Sequence, residues 1–254
     1  MALTDIADAA HVASAVHAAR MGRALSRSVL IASPVARHPV RQYTWSLVDT
    51  MVTLERLGIR AEVHWRVGNS NIAQSRNEIV AAFLAGDCTD LLFIDDDMGW
   101  KANDVVRLLA SEQEFIGGVG RKKDPKADDR SRYTWCMRLL PDIEQDEMGA
   151  VEVAGIGTGF VKISRTVFER VIDAHPDLKR PAPASLSPAQ RDMFYRFFHF
   201  QDDLSEDLAF CAMWRALGGK VWAAPEIELI HVGDHEFTGS FAVLMQPQTD
   251  GDHP

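Results

Sequence analysis

Asp95-Asp96-Asp97 places three carboxylates side by side. Adjacent acids repel one another unless a cation or solvent compensates them, and a hard divalent ion bound through oxygen is the natural compensator. A solvated acidic turn is the plainer alternative, but the residues in front argue against it. Leu91-Leu92-Phe93-Ile94 is a short apolar run, the pattern of a strand buried on both faces of a parallel sheet. The acids then emerge at the C-terminal end of that strand, where open α/β sheets bind ligands. A second acidic group, Ser205-Glu206-Asp207, opens a helical stretch late in the chain. Glu and Asp in a first turn are favoured by the helix dipole alone, so this group has a structural reading of its own.

The elements around the acids alternate. Val29–Val35 reads as a strand stopped by Pro34, and a helix over 42–57 ends at Gly58. Residues 60–67 alternate in the strand period, a second helix covers 71–85, and the strand 90–94 follows. Helical connections of this length favour parallel strands with right-handed crossovers. No Gly-x-Gly-x-x-Gly or Gly-Lys-Ser/Thr loop follows the first strand, which disfavours a dinucleotide dehydrogenase or a P-loop enzyme. Further on, a short helix spans 102–111 and a strand 114–119, whose Gly117 and Gly118 admit a close backbone or ligand. A strand over 150–154 runs into Gly155-Ile156-Gly157-Thr158-Gly159, a turn whose small residues leave room for a ligand. Ser164 caps the next helix, Ser205 another, and the last strand covers 220–224.

Two stretches differ in kind. Residues 121–138 carry seven Lys or Arg against three Asp, with Tyr133 and Trp135 among them. Residues 194–200 are dense in aromatic side chains, either a staple under a long loop or a wall of an acceptor site.

The 254 residues suffice for one large domain, and the 46% hydrophobic and 25% charged content is that of a soluble globular protein. No apolar run approaches the ~20 residues that span a bilayer, and the first 26 residues lack a signal-peptide core, so a cytoplasmic protein is expected. Residues 4–26 read as an Ala-rich helix that packs on the domain or on another copy. Cys88, Cys136 and Cys211 make neither a disulfide framework nor a zinc motif. A net charge of −9 argues against a general polyanion binder while leaving room for a local basic surface.

The Asp-x-Asp at a strand end, the later Glu206-Asp207 on a helix, and His231 in His-Val-Gly after the last strand occur in a fixed order. With Arg76-Asn77 and Gly157-Thr158-Gly159 between them, they resemble the GT-A glycosyltransferases, especially small bacterial and phage-type members related to family 2. The resemblance covers residues 28–240. It implies a single α/β domain of GT-A (Rossmann-like) type, with a mixed, mainly parallel sheet flanked by helices. A nucleotide-binding half (28–120) and an acceptor-binding half (121–240) follow an N-terminal helix (1–27) and precede a tail (241–254).

The family also implies roles. A UDP-sugar donor would be held with Mn²⁺ or Mg²⁺, the ion neutralising charge that grows on the diphosphate as the glycosidic bond breaks. Asp97, Asp95 and His231 would be the metal group, with His235 the nearest competitor for the histidine's place. Pro34, Val35, His38, Arg76, Asp95, Asp96, Gly157 and Gly159 would line the donor. Asp207 would be the general base of an inverting transfer and Glu206 its neighbour binding hydroxyls. Arg121, Lys122, Lys123, Trp135, Tyr195 and Phe198 would stand on the acceptor side. Cations interleaved with rings suggest a nucleic acid, for example a flipped 5-hydroxymethylcytosine in DNA, with saccharide and protein acceptors as alternatives. The rival classes are a sugar-nucleotide-binding protein without turnover and a nucleotidyltransferase, which shares the sheet type but needs a glycine-rich loop that Ser33-Pro34-Val35-Ala36-Arg37 lacks.

Overall fold

The computed structural model describes position 18, positions 20–127 and positions 130–246, the side chain of Tyr133 excepted. The chain is an α/β domain built on one eight-stranded sheet. Its strands are β1 (Ser28–Val35), β2 (Arg60–Val67), β3 (Asp90–Ile94), β5 (Phe115–Gly117), β6 (Met137–Leu139), β7 (Val151–Ile156), β8 (Phe160–Ser164) and β9 (Val221–Ala223). They lie in the order β2-β1-β3-β8-β5-β9-β7-β6. β1 pairs in parallel with both β2 and β3, and β5 with β9, while β7 and β8 run against their neighbours. Six of the eight strands therefore point one way, as the mainly parallel sheet expected from sequence requires. A small second sheet joins β4 (Met98–Gly99), β10 (Leu229–Val232) and β11 (Glu236–Gly239) in the order β11-β10-β4.

Helices α1 (Arg41–Arg56) and α3 (Ala102–Ala110) cover one face of the large sheet. Helices α2 (Ile72–Ala85), α4 (Arg165–Ala174) and α6 (Glu206–Ala216) cover the other, and a short helix α5 (Pro188–Asp192) sits outside. β3 shows why its run is unbroken in hydrophobicity: Leu91 and Phe93 face the second group of helices, Leu92 and Ile94 the first, and all four are buried. Each such side chain contributes roughly 1.5–3 kcal/mol by leaving water. Gly58 and Gly218 end α1 and α6 with φ of +73° and +79°, a backbone that side chains with a Cβ rarely adopt.

Several expectations are corrected. Pro34 does not stop β1, which continues to Val35. Past Ala32 the strand has only β2 beside it, so the missing N–H breaks no bond toward β3. Gly118 makes room for protein: a Cβ there would stand 2.6 Å from Ile227 Cγ2. Ser164 does not cap α4 with its hydroxyl, which donates to buried Asp90 at 2.8 Å. Residues 241–245, expected in the tail, form a 3₁₀ turn with Phe241 buried in the core. Most of the expected N-terminal helix, positions 1–17 and 19, lies outside the described residues, as do Asp128, Asp129 and positions 247–254. Residues 20–25 are helical, with Arg23 donating to the Ala110 carbonyl at 2.7 Å and Ala24 buried. Among the described residues no helix is long and apolar enough to cross a membrane.

Candidate active site

The site forms where β3 ends. The Asp95 amide donates to the Gly159 carbonyl at 3.0 Å, which ties the strand end to the turn between β7 and β8. That turn needs its glycines for close approach. A Cβ on Gly159 would lie 3.2 Å from Asp95 Oδ2, and one on Gly157 would lie 3.4 Å from Asp207 Oδ2. The turn expected over residues 155–159 is only Gly157-Thr158-Gly159, since Gly155 and Ile156 belong to β7, and it backs onto Asp95 on one side and Asp207 on the other. Between the two glycines Thr158 Oγ1 is buried and has no hydrogen-bond partner.

The three adjacent acids take different environments. Asp95 is held by Arg76, whose Nη2 lies 3.1 Å from Oδ1. Asp96 serves the loop after β1: its Oδ2 accepts from the Ala36 amide at 3.1 Å and its carbonyl from the Val40 amide at 2.9 Å. Burial pushes its carboxyl above the usual range. Asp97 faces the small sheet, where its Oδ2 lies 3.6 Å from His231 Nε2 and 2.5 Å from Lys123 Nζ. Burial pushes the Asp97 carboxyl up, but His231 and Lys123 outweigh it and hold it below the ordinary value.

His231 lies within β10 rather than after the last strand, paired with Met98 of β4, and this register brings it to Asp97. Its Nδ1 is 2.7 Å from the Arg121 carbonyl. A carbonyl only accepts, so Nδ1 carries a proton and, in the neutral ring, Nε2 presents its lone pair toward Asp97. His235 packs against Phe237 instead, with ring centroids 4.0 Å apart. Asp97 Oδ1 is buried with no hydrogen-bond partner. An unpartnered carboxylate oxygen beside an aimed imidazole lone pair is a donor set that fits a divalent cation. Asp95 does not complete a trio with them. Among the described residues, the three-ligand group with atoms mutually within 4.8 Å is Glu62, Asp87 and Cys88, and Arg60 already neutralises its two carboxylates.

The acidic pair opening α6 is divided. Glu206 is buried and ion-paired to Arg76. Burial pushes its carboxyl up against the opposing pull of that guanidinium. It is thus a partner of the helix α2 arginine. Asp207 is half-buried and lines a cleft of about 680 Å³. Its Oδ1 accepts from Ser205 Oγ and, at 2.8 Å, from the Leu208 amide, so Ser205 orients the acid instead of capping the helix. Arg76, expected against the donor, is only 3% exposed and sits between Asp95 and Glu206. Val35 is buried, Pro34 half-buried, and His38 exposed in the loop that Asp96 holds.

The expected acceptor side separates into three groups. Lys122 lines the Asp207 cleft, whereas Lys123 pairs with Asp97. Arg121 turns into its own loop, donating to the Ala127 carbonyl at 2.8 Å. Trp135 and Phe198 are buried core residues, at 1% and 0% exposure, with no face to offer an acceptor. Phe198 packs on Phe210 with ring centroids 4.8 Å apart, and Asn77 holds its backbone with two 2.8 Å hydrogen bonds. Tyr195 packs on Phe197 beneath Lys179 and takes no part in the cleft wall. Arg132, Cys136 and Arg138 do line it, and the sequence reading had not singled them out for the site by role.

No family model matches this chain, and no curated protein matches it in sequence. Among solved structures, it is similar to the crystal structure of GalNAc-T7 with UDP, GalNAc and Mn²⁺. The identity is 14%, over 82% of this chain and 44% of that one, with a TM-score of 0.43. It is also similar to the crystal structure of HddC from Yersinia pseudotuberculosis complexed with GMP-PN, at 8% identity over 56% of this chain and 78% of that one, with a TM-score of 0.29. The chain thus spans less than half the length of the GalNAc-T7 chain.

Proposed function

We propose that the protein is a metal-dependent glycosyltransferase of GT-A type that moves a sugar from a UDP-sugar to an acceptor hydroxyl. The observation that carries this reading is the single glycine turn, Gly157–Gly159, set against both Asp95 and Asp207, with the Asp97–His231 pair following Asp95. This arrangement supports a cation position at Asp97 and His231 and a separate carboxylate, Asp207, facing a cleft, as transfer between two substrates would require.

Asp97 and His231 would hold Mn²⁺ or Mg²⁺, which supplies charge neutralisation to the donor diphosphate. The rest is done by the chain. The loop after β1, pinned by Asp96, and the turn at Gly157 and Gly159 form the donor's walls. Asp207 Oδ1 is fixed by Ser205 and Leu208, leaving Oδ2 to accept a proton from the acceptor hydroxyl. The acceptor oxygen bonds to the anomeric carbon as the bond to the diphosphate oxygen breaks. UDP leaves with that electron pair, and the proton stays on Asp207. Direct attack from the Asp207 side gives inversion. A base of this kind contributes on the order of 100- to 10,000-fold.

Trp135 and Phe198 are core and lend a modified-DNA acceptor no support. The testing experiment combines calorimetric titration of UDP with and without Mn²⁺ and a product assay. Mn²⁺-dependent UDP binding and slow UDP release from a UDP-sugar are expected. Pyrophosphate release from UTP would assign a nucleotidyltransferase instead, and binding without any turnover a non-catalytic domain.

A further inference from the structure

Lys122 and Lys123 are consecutive, yet they serve different places. Lys123 reaches Asp97, while Lys122 lines the cleft in front of Asp207 together with Arg132 and Arg138. Asp95, Asp97, His231 and the loop after β1 are not part of that cleft's lining. The cleft thus brings Lys122, Arg132 and Arg138 to Asp207. Lys122 and Arg138 are exposed and make no ion pair with another described residue. Arg138 is held on β6, with its backbone opposite Gly155 of β7, so its charge is presented from a strand and not from a floppy loop. The described floor is aliphatic and sulfur-bearing, with Met137, Leu139, Leu208 and Cys136. Among the described lining residues, Lys122 and Arg138 set two exposed charges beside the Asp207 carboxylate, in a chain of net charge −9. Charges lining a cleft attract a ligand of opposite sign.

We infer that the acceptor is a small hydroxyl compound bearing a phosphate or carboxylate, its anionic group held by Lys122 and Arg138 while its hydroxyl faces Asp207. The inference rests on Asp207 being the base of the proposed transfer. A cleft of about 680 Å³ suits a ligand of metabolite size. Both anion types share the recognition chemistry, charge-assisted hydrogen bonds from ammonium and guanidinium.

The test compares glucose, glucose 6-phosphate and glucuronate on the full chain with UDP and Mn²⁺, by calorimetric binding and by mass spectrometry of products from UDP-sugars. One or both anionic probes should bind about tenfold or more tightly than glucose, the scale of one hydrogen bond to a charged group. Lys122→Glu and Arg138→Glu should each remove that preference and leave UDP–Mn²⁺ binding and the thermal midpoint unchanged. Cys136 gives a reading that needs no correct acceptor. It should react faster with an anionic sulfonate methanethiosulfonate than with a cationic trimethylammonium one, and both charge reversals should invert the order. Equal binding of glucose, preference for duplex DNA over the small anions, or faster labelling by the cationic reagent would each overturn the inference. Loss of UDP–Mn²⁺ binding in the parent protein would instead sink the transferase reading, and the charge preference at Cys136 would still be read separately.

Discussion

Arg76 ion-pairs with Glu206 inside the protein and, through its second nitrogen, with Asp95 at 3.1 Å. One buried guanidinium from α2 thus ties the end of β3 to the start of α6, the two elements that carry the candidate metal and base positions. A lysine cannot reproduce this, because its point charge does not fork between two carboxylates.

Arg76→Ala leaves Glu206 and Asp95 without their cation in a poorly hydrated place. Removing one partner of a buried pair costs about 3–5 kcal/mol. Urea unfolding should show a loss of that size. A loss below about 1 kcal/mol, the range of exposed pairs, would mean that water reaches the pair.

Asp97 carries the second relationship of this kind, because Lys123 and the candidate cation compete for one carboxylate. His231→Ala should weaken Mn²⁺ by more than the roughly 10- to 100-fold that outer-shell changes cost. Lys123→Ala should do the reverse in the absence of nucleotide and tighten Mn²⁺, since no ammonium has to be displaced. Manganese titration followed by electron paramagnetic resonance separates the two. Weaker Mn²⁺ binding in Lys123→Ala would show that the lysine supports the site instead of competing for it.

The aromatic segment makes a different forecast. Phe198 packs between Phe93 and Phe210 at 5.5 and 4.8 Å, so Phe198→Ala opens a core cavity. Truncations of this type cost about 3–5 kcal/mol. The variant should unfold earlier in denaturant while donor binding by its folded fraction stays unchanged. Altered acceptor preference without destabilisation would restore the segment to the acceptor wall.

The contrast between β3 and residues 194–200 explains how much could be read without coordinates. β3 was legible to the residue, because an apolar run bounded by polar residues has one comfortable place, and its trailing acids mark the sheet's ligand-binding edge. The glycine turn was legible as a place of close approach, though not what approached it. The rings at 194–200 were ambiguous, because aromatic density looks the same in a core and on a binding face. Only the Asn77 clamp, 121 residues away, decides for the core. Likewise, nothing local tells Lys122 from Lys123, or Glu206 from Asp207. Each pair is split by which partner the distant chain brings up: Asp97 for Lys123, Arg76 for Glu206. Lys162 was missed as a buried charge altogether, since it stands in Phe160-Val161-Lys162-Ile163, a run that reads as apolar.

Lys162 supplies a prediction independent of any function. It is fully buried on β8, and its ammonium donates to the Gln113 carbonyl at 2.6 Å. Burial pulls its pKa down to about 8, against some support from Asp90. A lysine in the unfolded chain titrates near 10.4. Below about pH 8 both states hold the proton and the native state carries the full desolvation cost. Between about pH 8 and 10.4 the unfolded chain binds more protons than the native one, so this lysine makes stability rise with pH. The full gain is on the order of 3 kcal/mol. Other groups titrate in the same range, so the quantity to follow is the difference in unfolding free energy from Lys162→Met. That difference should move in favour of the parent protein as pH is raised from 7.5 to 10. A difference that stays flat would mean that Lys162 remains protonated throughout, its charge carried by the Gln113 carbonyl and Asp90.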